Sequence, residues 1–443
     1  MENDERAAPL ARDTIAAIAT PPGRGGIGVV RVSGPRVPEI ARSLLGGLPR
    51  PRLASVSEFR NRRGEVVDEG LALYFPAPNS YTGEAVLELH GHGGPMVLQQ
   101  VLEACLDEGA RLAEPGEFTR RAFLEGKLDL AQAEAVADLI DAASREAARS
   151  ALRSLSGEFS AAVKGLVVGV TELRALIEAM LDFPEEEVDA VYRRDADARL
   201  RLLRQQLDRL LAQSQQGRLL ASGIHVVIAG RPNVGKSSLL NRIAGIDRAI
   251  VTPVAGTTRD ALREPMEIRG VPITLVDTAG LHASPDVIER MGMQRTRHEL
   301  AQADVVLAVV DASGDRNLPE DLPAGTVRIE VCNKVDLVAD FVPPEGAIAV
   351  SARSGQGIEA LKDAIVGAAG WQQTGETAFL ARTRHLRALE AAAGHLEAAT
   401  RAAGWEFFAE ELRLAQVALS SITGEVSADD LLGEIFARFC IGK

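Results

Sequence analysis

One short run of the sequence has the residue types and spacing needed to hold a phosphate chain. Residues 230–237 read Gly-Arg-Pro-Asn-Val-Gly-Lys-Ser, which fits the P-loop pattern, and they follow the apolar run 224–229 and precede a helical pattern. The glycines let backbone N–H groups turn toward phosphates, Lys236 would reach the outer phosphates, and the Ser237 hydroxyl would bind Mg²⁺. The pattern therefore predicts a nucleoside triphosphate site between a strand and a helix.

Three further motifs follow in the order of a guanine-nucleotide-binding domain. Residues 277–280, Asp-Thr-Ala-Gly, end an apolar run and would bring a carboxylate to the magnesium shell. Residues 333–336, Asn-Lys-Val-Asp, follow the run 327–332, and the Asp336 carboxylate can accept two hydrogen bonds from guanine that adenine cannot supply. Residues 351–353, Ser-Ala-Arg, would close over the base. The set resembles Ras-like and translation-factor-like G proteins, which favours GTP over ATP.

The segment between the P-loop and the second motif supplies a first switch. The Thr258 hydroxyl is the natural second Mg²⁺ ligand there. Ras-like enzymes orient the attacking water with a glutamine, but this chain has Leu281 at that position, and leucine cannot do so. Hydrolysis must therefore use another polar group, and the nearby candidates are Asp286, Glu289 and Arg290.

Several elements must position these residues. Residues 14–126 mix short strand-like runs with glycine and proline turns, which indicates an α+β domain. Helical spacing across 128–180 predicts two long helices, and leucines at 200, 203, 207 and 210 predict an apolar seam on a third. Strands then alternate with helices to about residue 370, as in a parallel sheet covered on both faces, before the helical pattern returns.

These patterns predict an α+β multidomain protein in which a Ras-like α/β G domain interrupts a helical domain. The predicted division is an N-terminal domain at 1–126, a first helical part at 127–219, an inserted G domain at 220–370 and a second helical part at 371–443.

Charge and composition limit the kinds of partner. The chain has 49 Lys+Arg against 62 Asp+Glu, a net charge of −13, which argues against a protein that grips nucleic acid mainly by neutralising phosphates. Aromatic residues are only 4 %, which favours helix over β-sandwich. Three widely spaced cysteines and the lack of a long apolar stretch predict a cytoplasmic protein without membrane insertion.

Several blocks, most of them outside the nucleotide motifs, carry a more specific resemblance. The blocks are Pro-Pro-Gly-Arg-Gly-Gly at 21–26, Asn-Ser-Tyr-Thr-Gly-Glu at 79–84, Lys-Leu-Asp-Leu-Ala-Gln-Ala-Glu at 127–134, Gly-Thr-Thr-Arg-Asp at 256–260 and Phe-Cys-Ile-Gly-Lys at 439–443. With these blocks the chain resembles the MnmE (TrmE) family of bacterial tRNA-modification GTPases, and the similarity runs the whole chain, including the G domain.

The resemblance implies a two-part activity. Members of the family hydrolyse GTP, bind a formyl- or methylene-tetrahydrofolate in the N-terminal domain, and modify C5 of the wobble uridine of certain tRNAs. The product carries an aminomethyl or carboxymethylaminomethyl group, with folate as the implied one-carbon donor. The implied partners are a second copy of the chain and the MnmG protein, which carries FAD and uses NADH. A homodimer would join MnmG in a heterotetramer that binds tRNA jointly.

The resemblance also implies site residues. K⁺ would replace the arginine finger, and its ligands would be Asn233, Thr252, Val254 and Thr257. The catalytic residues would be Glu289 and Lys236. The implied folate residues are Arg31, Glu88, Lys127 and Lys443, and Cys440 would be a thiol for one-carbon transfer. Mg²⁺ would be held by Ser237 and Thr258, with Asp277 in its outer shell. Motifs and resemblance together give the predicted GTP-binding residues Asn233, Val234, Gly235, Lys236, Ser237, Ser238, Thr252, Pro253, Val254, Ala255, Gly256, Thr257, Thr258, Asp277, Thr278, Ala279, Gly280, Asn333, Lys334, Val335, Asp336, Ser351, Ala352 and Arg353.

Plainer roles remain open for several of these residues. Asn233 is also a common turn former, and Glu88 is also an ordinary polar-face strand residue. Packing is slightly favoured over chemistry for Cys440, because free cysteines are often buried. His90 and His92 indicate a metal only weakly, since a third ligand is missing.

Two other functions compete with tRNA modification. A ribosome-assembly or RNA-binding switch GTPase would share the G motifs without the modification chemistry. A folate-dependent aminomethyltransferase fused to a regulatory GTPase would share the folate residues. Binding of a reduced folate distinguishes tRNA modification from the switch GTPase, and an assay on free amine substrates distinguishes it from the aminomethyltransferase.

Overall fold

The computed structural model describes residues 13–182, 189–245, 263–277, 298–314, 326–371, 379–425, 429–437 and 439–442. The strands are β1 (Ile15–Ile18), β2 (Gly28–Ser33), β3 (Ser55–Arg60), β4 (Val66–Phe75), β5 (Val86–Gly91), β6 (Arg111–Leu112), β7 (Ile224–Ala229), β8 (Arg263–Ile268), β9 (Val271–Asp277), β10 (Val305–Asp311), β11 (Val327–Asn333) and β12 (Ile348–Ala349). The helices are α1 (Val37–Leu45), α2 (Pro95–Asp107), α3 (Glu117–Leu124), α4 (Leu130–Asp141), α5 (Arg145–Leu155), α6 (Glu158–Asp182), α7 (Asp189–Ser222), α8 (Lys236–Ala244), α9 (Ile358–Ala368), α10 (Thr383–Arg401), α11 (Trp405–Thr423) and α12 (Asp429–Phe436). Contacts divide the chain into two compact units, unit 1 (Met1–Ala137 with Thr423–Lys443) and unit 2 (Asp138–Ile422).

Unit 1 is built on a mixed six-stranded sheet. Its strand order is β3-β4-β5-β2-β1-β6, and only the β1–β6 pair is parallel. In β2, Val30 and Val32 are buried while Arg31 between them is not, the alternation expected when one face of a strand packs on a core. Helices α1 and α2 bury their apolar faces in the same core. The predicted α+β character of this region is confirmed.

The end of the chain packs on the start of α4 in unit 1. Phe436 and Phe439 form one buried cluster with Leu130 and Ala133. Gly116 N–H donates to the carbonyl of Cys440 at 3.4 Å, which also ties the terminal segment to the start of α3. The terminal segment therefore packs against residues about 300 positions earlier in the sequence.

The structure confirms one prediction about the helical region and corrects another. The leucine seam is confirmed, because Leu200, Leu203, Leu207 and Leu210 are all buried along α7. The expectation of two long helices across 128–180 is wrong, because α4, α5 and α6 occupy that stretch. The Ser144 hydroxyl caps α5 by accepting from Ala147 N–H, and Gly157 at φ +90° ends it, so local signals break a continuous apolar spacing.

The described sheet of unit 2 is largely parallel and is covered on both faces. Its order is β12-β11-β10-β7-β9-β8, with β8 alone antiparallel. Every residue of β10 before Asp311 is buried, as expected of a strand covered on both faces. The α+β multidomain fold class with a P-loop α/β domain is confirmed. Among the described residues, no helix is long and apolar enough to cross a bilayer.

Candidate functional site

The predicted P-loop lies between β7 and the start of α8, at the carboxyl end of the parallel strands. The Lys236 ammonium donates to the carbonyls of Gly230 at 2.7 Å and Arg231 at 2.8 Å, so it lies inside the curl of its own loop. Burial lowers the pKa of Lys236, and the negative charge of Asp277 partly opposes that effect. An incoming phosphate would add a second negative charge beside this partly desolvated ammonium.

Ser237 and Asp277 meet at the edge of this loop. The Ser237 hydroxyl donates to Asp277 Oδ2 at 2.5 Å, and Asp277 is the buried last residue of β9. A hydroxyl and a carboxylate oxygen in contact are the hard donors that Mg²⁺ prefers. The donor set fits the predicted magnesium site, whose third predicted residue, Thr258, lies outside the described residues.

The Asn333 side chain ties three motifs together. Its Nδ2 donates to the carbonyl of Val234 at 2.9 Å, and its Oδ1 accepts from Ala352 N–H at 3.1 Å. Gly235 has φ +91°, and a Cβ there would lie 2.4 Å from Asn333 Nδ2. The loop therefore needs glycine at 235 both for its backbone and for the close approach of Asn333.

Lys334 links the P-loop to β10. Its ammonium donates to the carbonyl of Asn233 at 2.7 Å and to Asp311 Oδ2 at 2.6 Å. Burial raises the pKa of Asp311, but the hydrogen bonds from Lys334 and Ser313 together with the positive charge of Lys334 outweigh it, so the net pKa is lowered. Asp311 was missed in the sequence, although an acidic residue that ends a buried strand at this sheet edge was a usable signal.

The base-recognition segments are also held in place. Asp336 lies exposed in a short 3₁₀ turn, Val335–Leu337, beside the site. Arg242 of α8 donates to the carbonyls of Ala352, at 2.7 Å, and Arg353. The predicted residues at 233–238, 277, 333–336 and 351–353 are thus brought together at one sheet edge, and Arg242 is a further residue that sequence reasoning missed.

A second group of predicted residues meets in unit 1. Arg31 of β2 and Glu88 of β5 are register partners, and Arg31 Nε donates to Glu88 Oε1 at 2.9 Å. Arg31 Nη1 also donates to the carbonyl of Gly442 at 3.4 Å, beside the terminal segment. The guanidinium carbon lies 5.6 Å from the ring centre of Tyr81 and 5.7 Å from that of Phe118. Sequence reasoning missed both rings, because their proximity depends on tertiary contacts.

Comparison with known proteins covers both units. The family model for the GTP-binding protein TrmE N-terminus matches residues 14–127, and the model for the MnmE helical domain matches residues 130–440. Proteins named tRNA modification GTPase MnmE are 58 % identical in Azoarcus sp. (strain BH72), over 98 % of this chain and 99 % of that one, and 58 % identical in Thiobacillus denitrificans, over 97 % and 98 %. One from Neisseria meningitidis is 54 % identical over 97 % of this chain and 99 % of that one.

The chain belongs to the MnmE family.

The family prediction made from the sequence is therefore confirmed. Lys127 is exposed and lies beside Gly83, since a Cβ on Gly83 would lie 3.4 Å from Lys127 Cε. Cys440 is exposed, so the preference for packing is wrong. Its neighbour Phe439 occupies the buried position instead, and this leaves the thiol accessible.

The two histidines that weakly indicated a metal, His90 and His92, each lie beside a carboxylate. His90 Nε2 lies 3.2 Å from Glu88 Oε2, and His92 Nδ1 lies 2.7 Å from Asp68 Oδ1. Within the described part of the chain, no group of three or more His, Cys, Asp or Glu side chains could hold a metal ion.

Some predicted residues lie outside the described residues, and their roles stay predictions. They are Thr252, Pro253, Val254, Ala255, Gly256, Thr257, Thr258, Thr278, Ala279, Gly280, Leu281, Asp286, Glu289, Arg290 and Lys443.

Proposed function

We propose that this chain is a GTP hydrolase of tRNA modification that installs an aminomethyl or carboxymethylaminomethyl group at C5 of the wobble uridine of certain tRNAs. One observation carries the proposal: membership in the MnmE family over nearly the whole chain, at 58 % identity to proteins named tRNA modification GTPase. The match of residues 14–127 to the TrmE N-terminus favours it over an RNA-binding switch GTPase, which would not need that domain.

The nucleotide site supports the GTPase half. Backbone N–H groups of the P-loop and the Lys236 ammonium would bind the outer phosphates, and Asp336 would read guanine. Ser237 and Asp277 would hold Mg²⁺, which neutralises phosphate charge when bound. Asn233 is exposed and has φ +67°. Its amide oxygen is not packed in the core, so it fits the role of a K⁺ ligand beside the phosphates. In this proposal Glu289 orients the attacking water, since leucine at 281 cannot.

The GTPase half has a direct test. Glu289→Ala should abolish GTP turnover and leave the affinity for GTP nearly intact, because the side chain acts on water rather than on the nucleotide. Glu345→Ala, at an exposed position of unit 2, is the matched control. Wild-type turnover by Glu289→Ala would rule out the role of Glu289, and equal turnover in KCl and NaCl at equal ionic strength would rule out K⁺ activation.

The cluster around Arg31 and Glu88 in unit 1 supports the folate half of the proposed function. The Glu88 carboxylate can pair with the N–H and amino groups of a pterin, and the cations Arg31, Lys127 and Lys443 suit a glutamyl tail. The exposed Cys440 thiol lies on the same terminal segment as Gly442, whose carbonyl Arg31 contacts. A formyl- or methylene-tetrahydrofolate bound there would supply the one-carbon unit. Titration of the full chain with a reduced folate tests this half, and no binding would contradict it.

The proposed assembly is a homodimer joined to an MnmG-type FAD protein in a heterotetramer. A net charge of −13 makes this chain a poor phosphate-neutralising surface, so tRNA would be bound jointly with that partner. We also retain the four-part domain division as part of the proposal. Because its proposed substrates are tRNA and GTP, the enzyme would work in the cytoplasm.

A further inference from the structure

We propose that Glu84 is a positioning residue of the reduced-folate site. Its carboxylate holds the loop 80–84 against β2 and α3, so that Tyr81 and Phe118 keep the Arg31 guanidinium in one orientation. This inference rests on the proposed folate function of Arg31, and it adds a residue that contacts no proposed ligand.

The orientation of Arg31 depends on two rings from different elements. Tyr81 belongs to the loop between β4 and β5, and Phe118 is a fully buried residue of α3. The Tyr81 hydroxyl bonds to Thr119 Oγ1 at 2.8 Å, so the loop ring is fastened to α3 as well. Rings on which a guanidinium rests fix its plane, and Glu88 then fixes its direction through Nε. Loss of the loop position would release Arg31 on one side.

Glu84 is the tie between that loop and its surroundings. Its side chain is 8 % exposed, and Oε2 accepts from the Ser33 hydroxyl of β2 at 2.8 Å. Arg121 of α3 donates through Nη1 to Oε1 at 3.2 Å and to Oε2 at 3.1 Å. The Ser33 hydroxyl also lies 2.7 Å from Thr82 Oγ1, within the same loop. One carboxylate therefore joins the loop to a strand on one side and to a helix on the other.

The charge balance around Arg121 shows why the fold should survive loss of this tie. Arg121 Nη2 also donates to Glu117 Oε1 at 2.9 Å and to Asp13 Oδ1 at 2.8 Å. Without the Glu84 charge, the guanidinium keeps two carboxylate partners and is not left as an unpaired buried cation. Glu84→Gln keeps the side-chain size, so the expected effect is a loosened loop rather than an unfolded unit.

The test measures binding of 5-formyltetrahydrofolate to the full chain by isothermal titration calorimetry. It compares wild type, Glu84→Gln, Arg31→Lys and the double variant. Arg31→Lys keeps a cation, so binding stays measurable, but an ammonium is not held flat against the two rings. Glu103→Gln is the matched control, because Glu103 is exposed on α2, where its carboxylate accepts a hydrogen bond from Gln99 Nε2 at 3.0 Å.

We expect Glu84→Gln to weaken folate binding about tenfold, or about 1.4 kcal/mol. In the Arg31→Lys background, the same change should alter affinity by less than about twofold, because the group that Glu84 positions is gone. Glu103→Gln should bind like wild type. If Glu84→Gln does not fold, Ser33→Ala removes a hydrogen bond to the same carboxylate and should weaken binding about threefold.

The outcomes separate this inference from the proposed function. Wild type that does not bind 5-formyltetrahydrofolate overturns the folate function, and the inference with it. Wild type that binds while Glu84→Gln binds equally well overturns the inference alone. An equal loss from Glu84→Gln in both backgrounds would mean a general structural role, and it would also overturn positioning through Arg31.

Discussion

Replacing Asn333 with alanine tests whether the nucleotide site is organised before any ligand arrives. Asn333 is 1 % exposed, and its amide satisfies two backbone groups, the carbonyl of Val234 in the P-loop and the N–H of Ala352 in the segment that would close over the base. Alanine cannot bond to either group. Both groups would then lose this partner, the first at a buried residue and the second at a half-buried one.

The structure gives the size of the effect. Leaving a buried donor or acceptor unsatisfied costs about 1–3 kcal/mol and a half-buried one costs less, so the two groups together should destabilise unit 2 by about 3 kcal/mol. With a urea slope of about 2 kcal/mol/M, a loss of about 3 kcal/mol would lower the unfolding midpoint by about 1.5 M. The affinity for GTP should fall as well, because binding would have to order the P-loop and the 351–353 segment.

Urea unfolding followed by tryptophan fluorescence is a suitable assay. The chain has two tryptophans, Trp371 and Trp405, and both lie in unit 2, with Trp371 packed against the core of the parallel sheet. Asn241→Ala is the matched control, since Asn241 is exposed on α8 and alanine is the better helix former. An Asn333→Ala midpoint equal to that of Asn241→Ala would refute the reasoning.

Three further changes have expected outcomes. Gly235→Ala should abolish binding of a fluorescent GTP analogue in a titration, because φ is +91° and the added Cβ would lie 2.4 Å from Asn333 Nδ2; wild-type affinity would contradict the loop geometry. Asp311→Asn should destabilise unit 2 at pH 7, and by progressively less as the pH falls below about 4. The reason is that the pKa of Asp311 is lower in the folded state than its unfolded value of about 3.9. The ionised carboxylate therefore stabilises the fold above the unfolded pKa, and this stability is lost as the pH falls through the folded pKa. A pH-independent difference in unfolding free energy would show that the pair with Lys334 is not its source. Asp138→Asn should lower the thermal stability of unit 2 by about 1–3 kcal/mol, because Arg382 Nη2 donates to Asp138 Oδ1 at 2.6 Å in a largely buried pair; an unchanged melting temperature would show that the pair contributes nothing.

Much of the nucleotide site was predictable because its motifs are local. Each motif follows an apolar strand run, and the carboxyl ends of parallel strands meet at one sheet edge, so spacing alone brings residues 230–237 and 333–336 together. The partners of these motifs were harder to find. Arg242 and Asp311 have no motif of their own, and only the packing of α8 and β10 brings them to the site.

The unit 1 site shows the opposite case. Arg31 and Glu88 are 57 residues apart, and only the register between β2 and β5 pairs them, which the sequence pattern does not reveal. The family resemblance supplied both residues, but it supplied neither Tyr81 nor Glu84 as a neighbour. The exposure of Cys440 was also missed, because the burial of Phe439 beside it depends on packing with α4.

The most direct test of the central claim is mass spectrometry of tRNA nucleosides from a strain that lacks the gene for this chain. The account predicts loss of the C5 aminomethyl and carboxymethylaminomethyl groups from wobble uridines, and their return when the wild-type chain is supplied. A set of wobble uridines that is unchanged by the deletion would contradict the assignment of this GTPase to tRNA modification.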